Sequence, residues 1–190
     1  SRAWLAGLFS VFGDFPLVNP FVEFEDEEGD AFISKISSAG SKILLSVRYG
    51  SGAADRGRAI CLDRMGRIYF LGTTQSSDLS LLNPVQASKS GESDIFAVRL
   101  DPTGQKLEYA TYLGGSEIDN PRGVAAADDG SAVLTGYTSS HDFPLQSPLE
   151  RRLSGGGGCF VTMLSPSGSS LRFSTYLGGG CQPGRRNFNE

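Results

Sequence analysis

The 190-residue chain has one histidine, one tryptophan and two methionines. A lone histidine, His141, leaves little material for an acid–base relay. A Ser-His-Asp site needs three groups that converge in space, and His141 stands in a serine-rich stretch next to Asp142. There are three cysteines, Cys61, Cys159 and Cys181, with no CxxC spacing, which argues against a zinc site. Positive charge is not in excess: the net charge is -4 and the pI about 5.1. A nucleic-acid surface or a polybasic membrane contact should be basic, so neither partner is expected. No apolar run approaches the roughly 20 residues of a membrane helix. The apolar stretch 3–12 is too short and lacks a cleavage pattern, and it reads as a buried strand rather than a signal peptide. No segment sustains a helical period. SGGGGC (154–159) lacks the Lys-Ser/Thr and the following helix of a phosphate loop.

Glycine, in contrast, is plentiful: 25 glycines stand beside 9 prolines, which implies many turns between short elements. Much of the sequence is written more than once. DFPLVNP (14–20), DLSLLNP (78–84) and DFPLQSP (142–148) are separated by 64 and 64 positions. The same offset aligns Phe32, Phe96 and Phe160, then Gly40, Gly104 and Gly168, then Gly50, Gly114 and Gly178, then Arg58, Arg122 and Arg186, all without a gap. Asp55 matches Asp119, and Gly72 matches Gly136. The chain is about three copies of one unit: a partial unit at 1–13, units at 14–77 and 78–141, and a partial unit at 142–190.

Each unit reads as strands. DAFISKI, DIFAVRL and CFVTML are short and rich in β-formers. The turns SSAGSK, DPTGQK and SPSGSS place glycine fourth, where a residue of positive φ is needed after a tight turn. ILLSVRYG, LEYATYLG and LRFSTYLG follow as second strands. RAICLD or RGVAAA supplies a third, and RIYFLGT or SAVLTGY a fourth. In DIFAVRL, Phe96, Val98 and Leu100 fall on one face and Ile95 and Ala97 on the other, as in a strand covered on both sides. Four antiparallel strands per unit, repeated, predict an all-β chain built as a β-propeller of four-stranded blades. Neighbouring blades would bury each other's faces, with Phe32, Phe96 and Phe160 between them. The competing architecture is an open β-solenoid, whose coils are normally shorter. SRAWLAGL (1–8) resembles a fourth strand shifted by one position, with Gly7 against Gly72. Closed propellers have about four to eight blades. Three units therefore predict a segment of a longer propeller, or a ring completed by several chains.

The stretch LEYATYLGGSEIDNPRGVAAADDGSAVLTGYTSSHDFPLQSP resembles the bacterial β-propeller repeat family known as SBBP. The resemblance rests on Thr111-Tyr112-Leu113-Gly114-Gly115, Asp119, Asp128, Gly130, Thr135-Gly136, Thr138, Ser139 and Asp142-Phe143-Pro144, with STYLGGG again at 174–180. The first copy departs from it, since Arg48-Tyr49-Gly50-Ser51 replaces TYLGG, and Asp78-Leu79-Ser80 replaces DFP. The resemblance implies an extracytoplasmic bacterial protein with a surface or adhesive role, and it transfers no catalytic residues.

Several residues are candidates for chemistry. Asp14, Asp78 and Asp142 recur in loops, as either Ca²⁺ ligands or the acceptors of local Asx-turns. Asp55 and Asp119 recur near Arg58 and Arg122, which suggests an Asp–Arg pair fixing a loop. EFEDEEGD (23–30) has six carboxylates and no cation and reads as a solvated acidic loop, with weak cation binding or a basic partner as the functional alternative. Cys159 and Cys181 are a candidate disulfide, favoured in an oxidising compartment. Cys61 reads as a buried small apolar residue. The expected function is a non-enzymatic module that presents loops to a protein or glycan outside the cell. The alternative is a propeller domain of a carbohydrate-active lyase or hydrolase.

Overall fold

The computed structural model describes residues 3–8, 16–18 and 29–178, with backbone alone for 3–8. Every regular element among them is a strand. In chain order these are β1 (Ala3–Leu8), β2 (Ala31–Ile36), β3 (Ile43–Tyr49), β4 (Asp55–Leu62), β5 (Ile68–Thr74), β6 (Asp94–Leu100), β7 (Leu107–Leu113), β8 (Asp119–Ala126), β9 (Ala132–Thr138), β10 (Gly158–Leu164) and β11 (Leu171–Leu177). They form three antiparallel sheets, ordered β1-β2-β3, β4-β5-β6-β7 and β8-β9-β10-β11.

The four strands of a sheet do not come from one sequence unit. The second sheet takes β4 and β5 from the unit 14–77, and β6 and β7 from the next. A repeat fixes a period but not the point at which the chain changes sheets. The short link 50–54 looks like a hairpin connection, yet it carries the chain from the first sheet to the second. The long loop 75–93 returns to the same sheet, and on its way Leu82 bridges Ala110 on the outer edge of β7. Val18 and Gln146 bridge Ser46 and Ser174 in the same manner, so each DFP-like segment covers part of an otherwise open strand edge.

Pairing of the fourth-type strand with the first-type strand is held by one repeated contact. Gly7 faces Phe32, Gly72 faces Phe96, and Gly136 faces Phe160 across their strands. A β-carbon on Gly72 would stand 2.2 Å from both the Arg56 carbonyl oxygen and Phe96 Cζ. The ring lies over the space a side chain would take, an arrangement that keeps ring and register fixed. The one-position shift expected for Gly7 is therefore present in the backbone register.

Two apolar layers lie between the sheets. Ala31, Ile33, Leu45, Val47 and Tyr49 meet Ile68, Phe70, Phe96, Val98, Leu100 and Tyr112 in the first. Tyr69, Leu71, Ile95, Ala97, Tyr109 and Leu113 meet Leu134, Phe160, Leu164 and Tyr176 in the second, with Phe143 alongside. The alternation in β6 thus feeds both layers, and all of its residues are buried. Phe96 has Phe70 at 5.1 Å and Tyr49 at 5.3 Å between ring centroids, in the tilted and edge-on geometries aromatic pairs prefer. Phe32 is only half-buried, unlike Phe96 and Phe160. It occupies the face of the first sheet turned away from the second, where the described residues place no further sheet.

Candidate functional site

The recurring polar residues gather at two equivalent corners, where the short link into a sheet meets the start of a long loop. At the first, Asp55 Oδ2 accepts the Ser51 backbone N–H at 3.0 Å and the Ser76 hydroxyl at 2.8 Å. Ser76 Oγ in turn accepts the Ala53 N–H at 3.0 Å. At the second, Asp119 Oδ2 accepts the Gly115 N–H at 2.8 Å and the Ser140 hydroxyl at 2.9 Å, while Ser140 Oγ accepts the Glu117 N–H at 2.9 Å. Each corner ties two chain segments to one buried carboxylate.

A second acid approaches each corner. Asp30 and Asp55 both border Gly50, and Asp94 and Asp119 both border Gly114. A β-carbon on Gly114 would stand 2.7 Å from Asp94 Cγ and 2.8 Å from Asp119 Oδ2. Only glycine leaves room for two carboxylates. Asp94 is held by the Ser90 and Gly91 N–H groups, each at 2.9 Å, and by Gln86 Nε2 at 3.2 Å. Arg48 lies 3.8 Å from Asp30. Asp55 and Asp119 are fully buried, and among the described residues Oδ1 of each has no hydrogen-bond partner. The Thr74 and Thr138 hydroxyls favour the anions from nearby without hydrogen-bond alignment to those oxygens. Burial, reinforced by the neighbouring carboxylate, pushes Asp55 and Asp119 up to about 6. Burial also raises Asp94.

A tyrosine closes each corner. Tyr112 donates to the Ser76 carbonyl at 3.0 Å and accepts the Leu79 N–H at 3.0 Å. Tyr176 donates to the Ser140 carbonyl at 2.8 Å and accepts the Phe143 N–H at 3.2 Å. Phe143 then packs on Phe160 with centroids 4.6 Å apart. These contacts give the TYLG and DFP letters a structural reason to recur: one supplies the tyrosine, the other the segment it fastens. In the first copy Arg48 stands where Tyr112 and Tyr176 stand, and the adjacent Tyr49 reaches the Ser80 carbonyl instead, at 2.9 Å.

The loop aspartates Asp78 and Asp142 act as tethers. Asp142 Oδ1 accepts the Ser116 N–H at 2.8 Å and its hydroxyl at 3.0 Å, and the N–H bond holds this acid below the usual range. Asp78 Oδ1 accepts the Ser51 hydroxyl at 2.7 Å. Both are exposed, and both tether a loop to a residue far along the chain rather than closing an Asx-turn. Asp14 lies outside the described residues. Among the described residues no group of three or more His, Cys, Asp or Glu side chains is placed to hold a metal ion.

The expected Asp–Arg pairs do not form. Arg58 and Arg122 are exposed at breaks in the β4–β5 and β8–β9 registers, between Gly57 and Ala59 and between Pro121 and Gly123. An extra residue at such a bulge re-aims its side chain, and neither arginine forms an ion pair among the described residues. Serine hydroxyls take the role assigned to them. The reading of 23–30 as a solvated loop fails at its last residue, since Asp30 is buried beside Gly50, while 23–28 lie outside the described residues. Asp30 and Asp94 were legible as a pair, 64 positions apart at the head of equivalent strands, each with a glycine 20 positions on. His141 is exposed, and Ser140 beside it donates to Asp119 rather than to the imidazole. Cys159 is exposed opposite Leu177, and its candidate partner Cys181 lies outside the described residues. Cys61 is half-buried, and burial raises its thiol to about 11, which makes it a poor nucleophile.

No protein-family model matches the chain, and no curated protein matches it.

Proposed function

We propose that the chain is a non-enzymatic, extracytoplasmic repeat module of the SBBP β-propeller type, with a structural, assembly or adhesive role at the cell surface. The observation that carries this reading is the use of the recurring letters. Tyr112 and Tyr176, Ser76 and Ser140, Asp55 and Asp119, and Phe143 are bonded or packed into the framework. Repeated residues that hold the first halves of the long loops in place leave their second halves, 85–93 and 149–157, as the variable surface. Binding residues are disproportionately found on loops carried by a rigid scaffold. Those loops would meet a protein or a glycan.

The carbohydrate-active enzyme remains the competing class, and a single experiment separates the two. The purified chain is incubated with a panel of acidic and neutral polysaccharides, while reducing ends and unsaturated sugar products are followed and binding is read in parallel on a glycan and protein array. The module reading expects array binding without product. Steady release of either product by the pure chain overturns it.

A further inference from the structure

The hairpin glycines Gly104 and Gly168 both have φ +75°, the left-handed conformation that suits glycine. A β-carbon on Gly104 would stand 2.2 Å from Leu45 Cδ2 of the first sheet, and one on Gly168 would stand 2.3 Å from Tyr109 Cγ of the second. The hairpin glycines of the second and third sheets therefore each seat a large side chain from the sheet before. Leu45, Tyr109 and Phe173 are spaced by 64, as are Gly40, Gly104 and Gly168. Among the described residues two partners are left over. Gly40, at φ +70°, has none of them within 4 Å. Phe173 is half-buried in an apolar groove of about 380 Å³ with Leu149, Val161, Thr175 and Leu177, and Leu149 is 84% exposed.

The remainder of the two faces agrees. On the third sheet, Phe160 and the Thr162–Ser174 hydroxyl pair at 2.7 Å are buried and turned toward the second sheet. The first sheet carries the same set in the same register: the Ser34–Ser46 pair at 2.9 Å, already buried within the chain, and Phe32, which is half-buried where Phe160 is fully buried. The half-buried Val161 of the third sheet takes the place of Ala97, which the second layer buries completely.

We propose that the outer face of the third sheet takes the first sheet of a second copy of this chain, with Phe173 seated on Gly40 of that copy. The proposal rests on the repeat-module reading and names its partner. A contact of this kind is heterologous, so it closes into a ring or runs on. Two copies bring together six sheets, three from each, within the range of roughly four to eight at which propellers close.

The test is the solution mass of the 190-residue chain by sedimentation, at concentrations on the order of 50 µM. Twice 20.2 kDa is expected. Phe173→Glu should return the mass to 20.2 kDa. Gly40→Asn should do the same by filling the seat, since asparagine tolerates the left-handed conformation and the turn is exposed, so the chain still folds. A longer series of masses that both variants dissolve also supports the contact. A mass of 20.2 kDa for the unaltered chain, or an assembly that both variants leave intact, overturns it. Neither result bears on the polysaccharide assay: a single-copy particle without turnover removes the docking alone, and turnover by an assembled particle removes the module reading alone.

Discussion

Acidification should stabilise this protein before it denatures it. Asp55 and Asp119 are fully buried, each with one oxygen lacking a partner among the described residues, and each is raised from 3.8 to about 6. A carboxyl whose folded value lies above its unfolded value binds more protons in the native state between the two. Its stabilising contribution is therefore complete below pH 3.8 and is lost as pH rises through about 6. Integrating the linkage relation from pH 7 down to pH 5 gives about 1.3 kcal/mol per group, so about 2–3 kcal/mol for the pair. Asp94 is raised as well and works in the same direction. Below about pH 4 the trend should reverse, because Asp63, Asp101 and Asp142 are held low and lose their favourable contacts on protonation. Urea melts at pH 7, 6 and 5 measure the effect. The double variant Asp55→Asn/Asp119→Asn provides the internal control. An asparagine carbonyl can still accept the Ser51 N–H and Ser76 hydroxyl, or the Gly115 N–H and Ser140 hydroxyl, while its NH₂ group turns toward the neighbouring carboxylate. The variant should be at least as stable as the natural chain at pH 7 and should lose most of the pH dependence. A natural chain that gains stability from pH 5 to pH 7, or a double variant that keeps the slope, would refute the account of the corners.

Other substitutions test the framework directly. Tyr176→Phe removes the hydroxyl that bonds both the Phe143 N–H and the Ser140 carbonyl and leaves the two only their 3.3 Å bond to each other, which should cost about 1 kcal/mol in a urea melt with no change in secondary structure by circular dichroism. Gly136→Ala places a β-carbon 2.1 Å from the Asn120 carbonyl oxygen and 2.8 Å from the Phe160 ring. The backbone oxygen cannot give way, so a loss of about 3 kcal/mol or failure to fold is expected, whereas Gly156→Ala, with nothing within 4 Å among the described residues, should change the stability by less than about 0.5 kcal/mol. Asp142→Ala releases the loop from Ser116, and the amide of Ser116 should exchange hydrogen faster while the β10 amides keep their protection.

The alternation of DIFAVRL and the 64-residue spacing were enough to assign β6 to a doubly covered position and to send Phe96 and Ile95 to opposite layers. Side-chain direction in a strand follows from local geometry with a period of two, so it is written in consecutive letters. The glycine turns were legible for the same reason, since a left-handed residue at Gly104 or Gly168 is a local demand. The corner pairing was not. Nothing near Asp119 in the sequence distinguishes Arg122, three positions on, from Ser140, twenty-one positions on. The bulge at Arg122 swings one away, and the turn after β9 brings the other in. The point at which the chain changes sheets was equally hidden, because a period looks the same from any starting position. Closure of the loop 75–93 onto the edge of β7 decides it. Sequence by itself determined which face of each strand is apolar. Tertiary structure alone decided which faces meet, and that among the described residues no side chain sits on Gly40 and Phe173 lies half-buried in an open groove, because an interface exists only when two distant segments are brought into register.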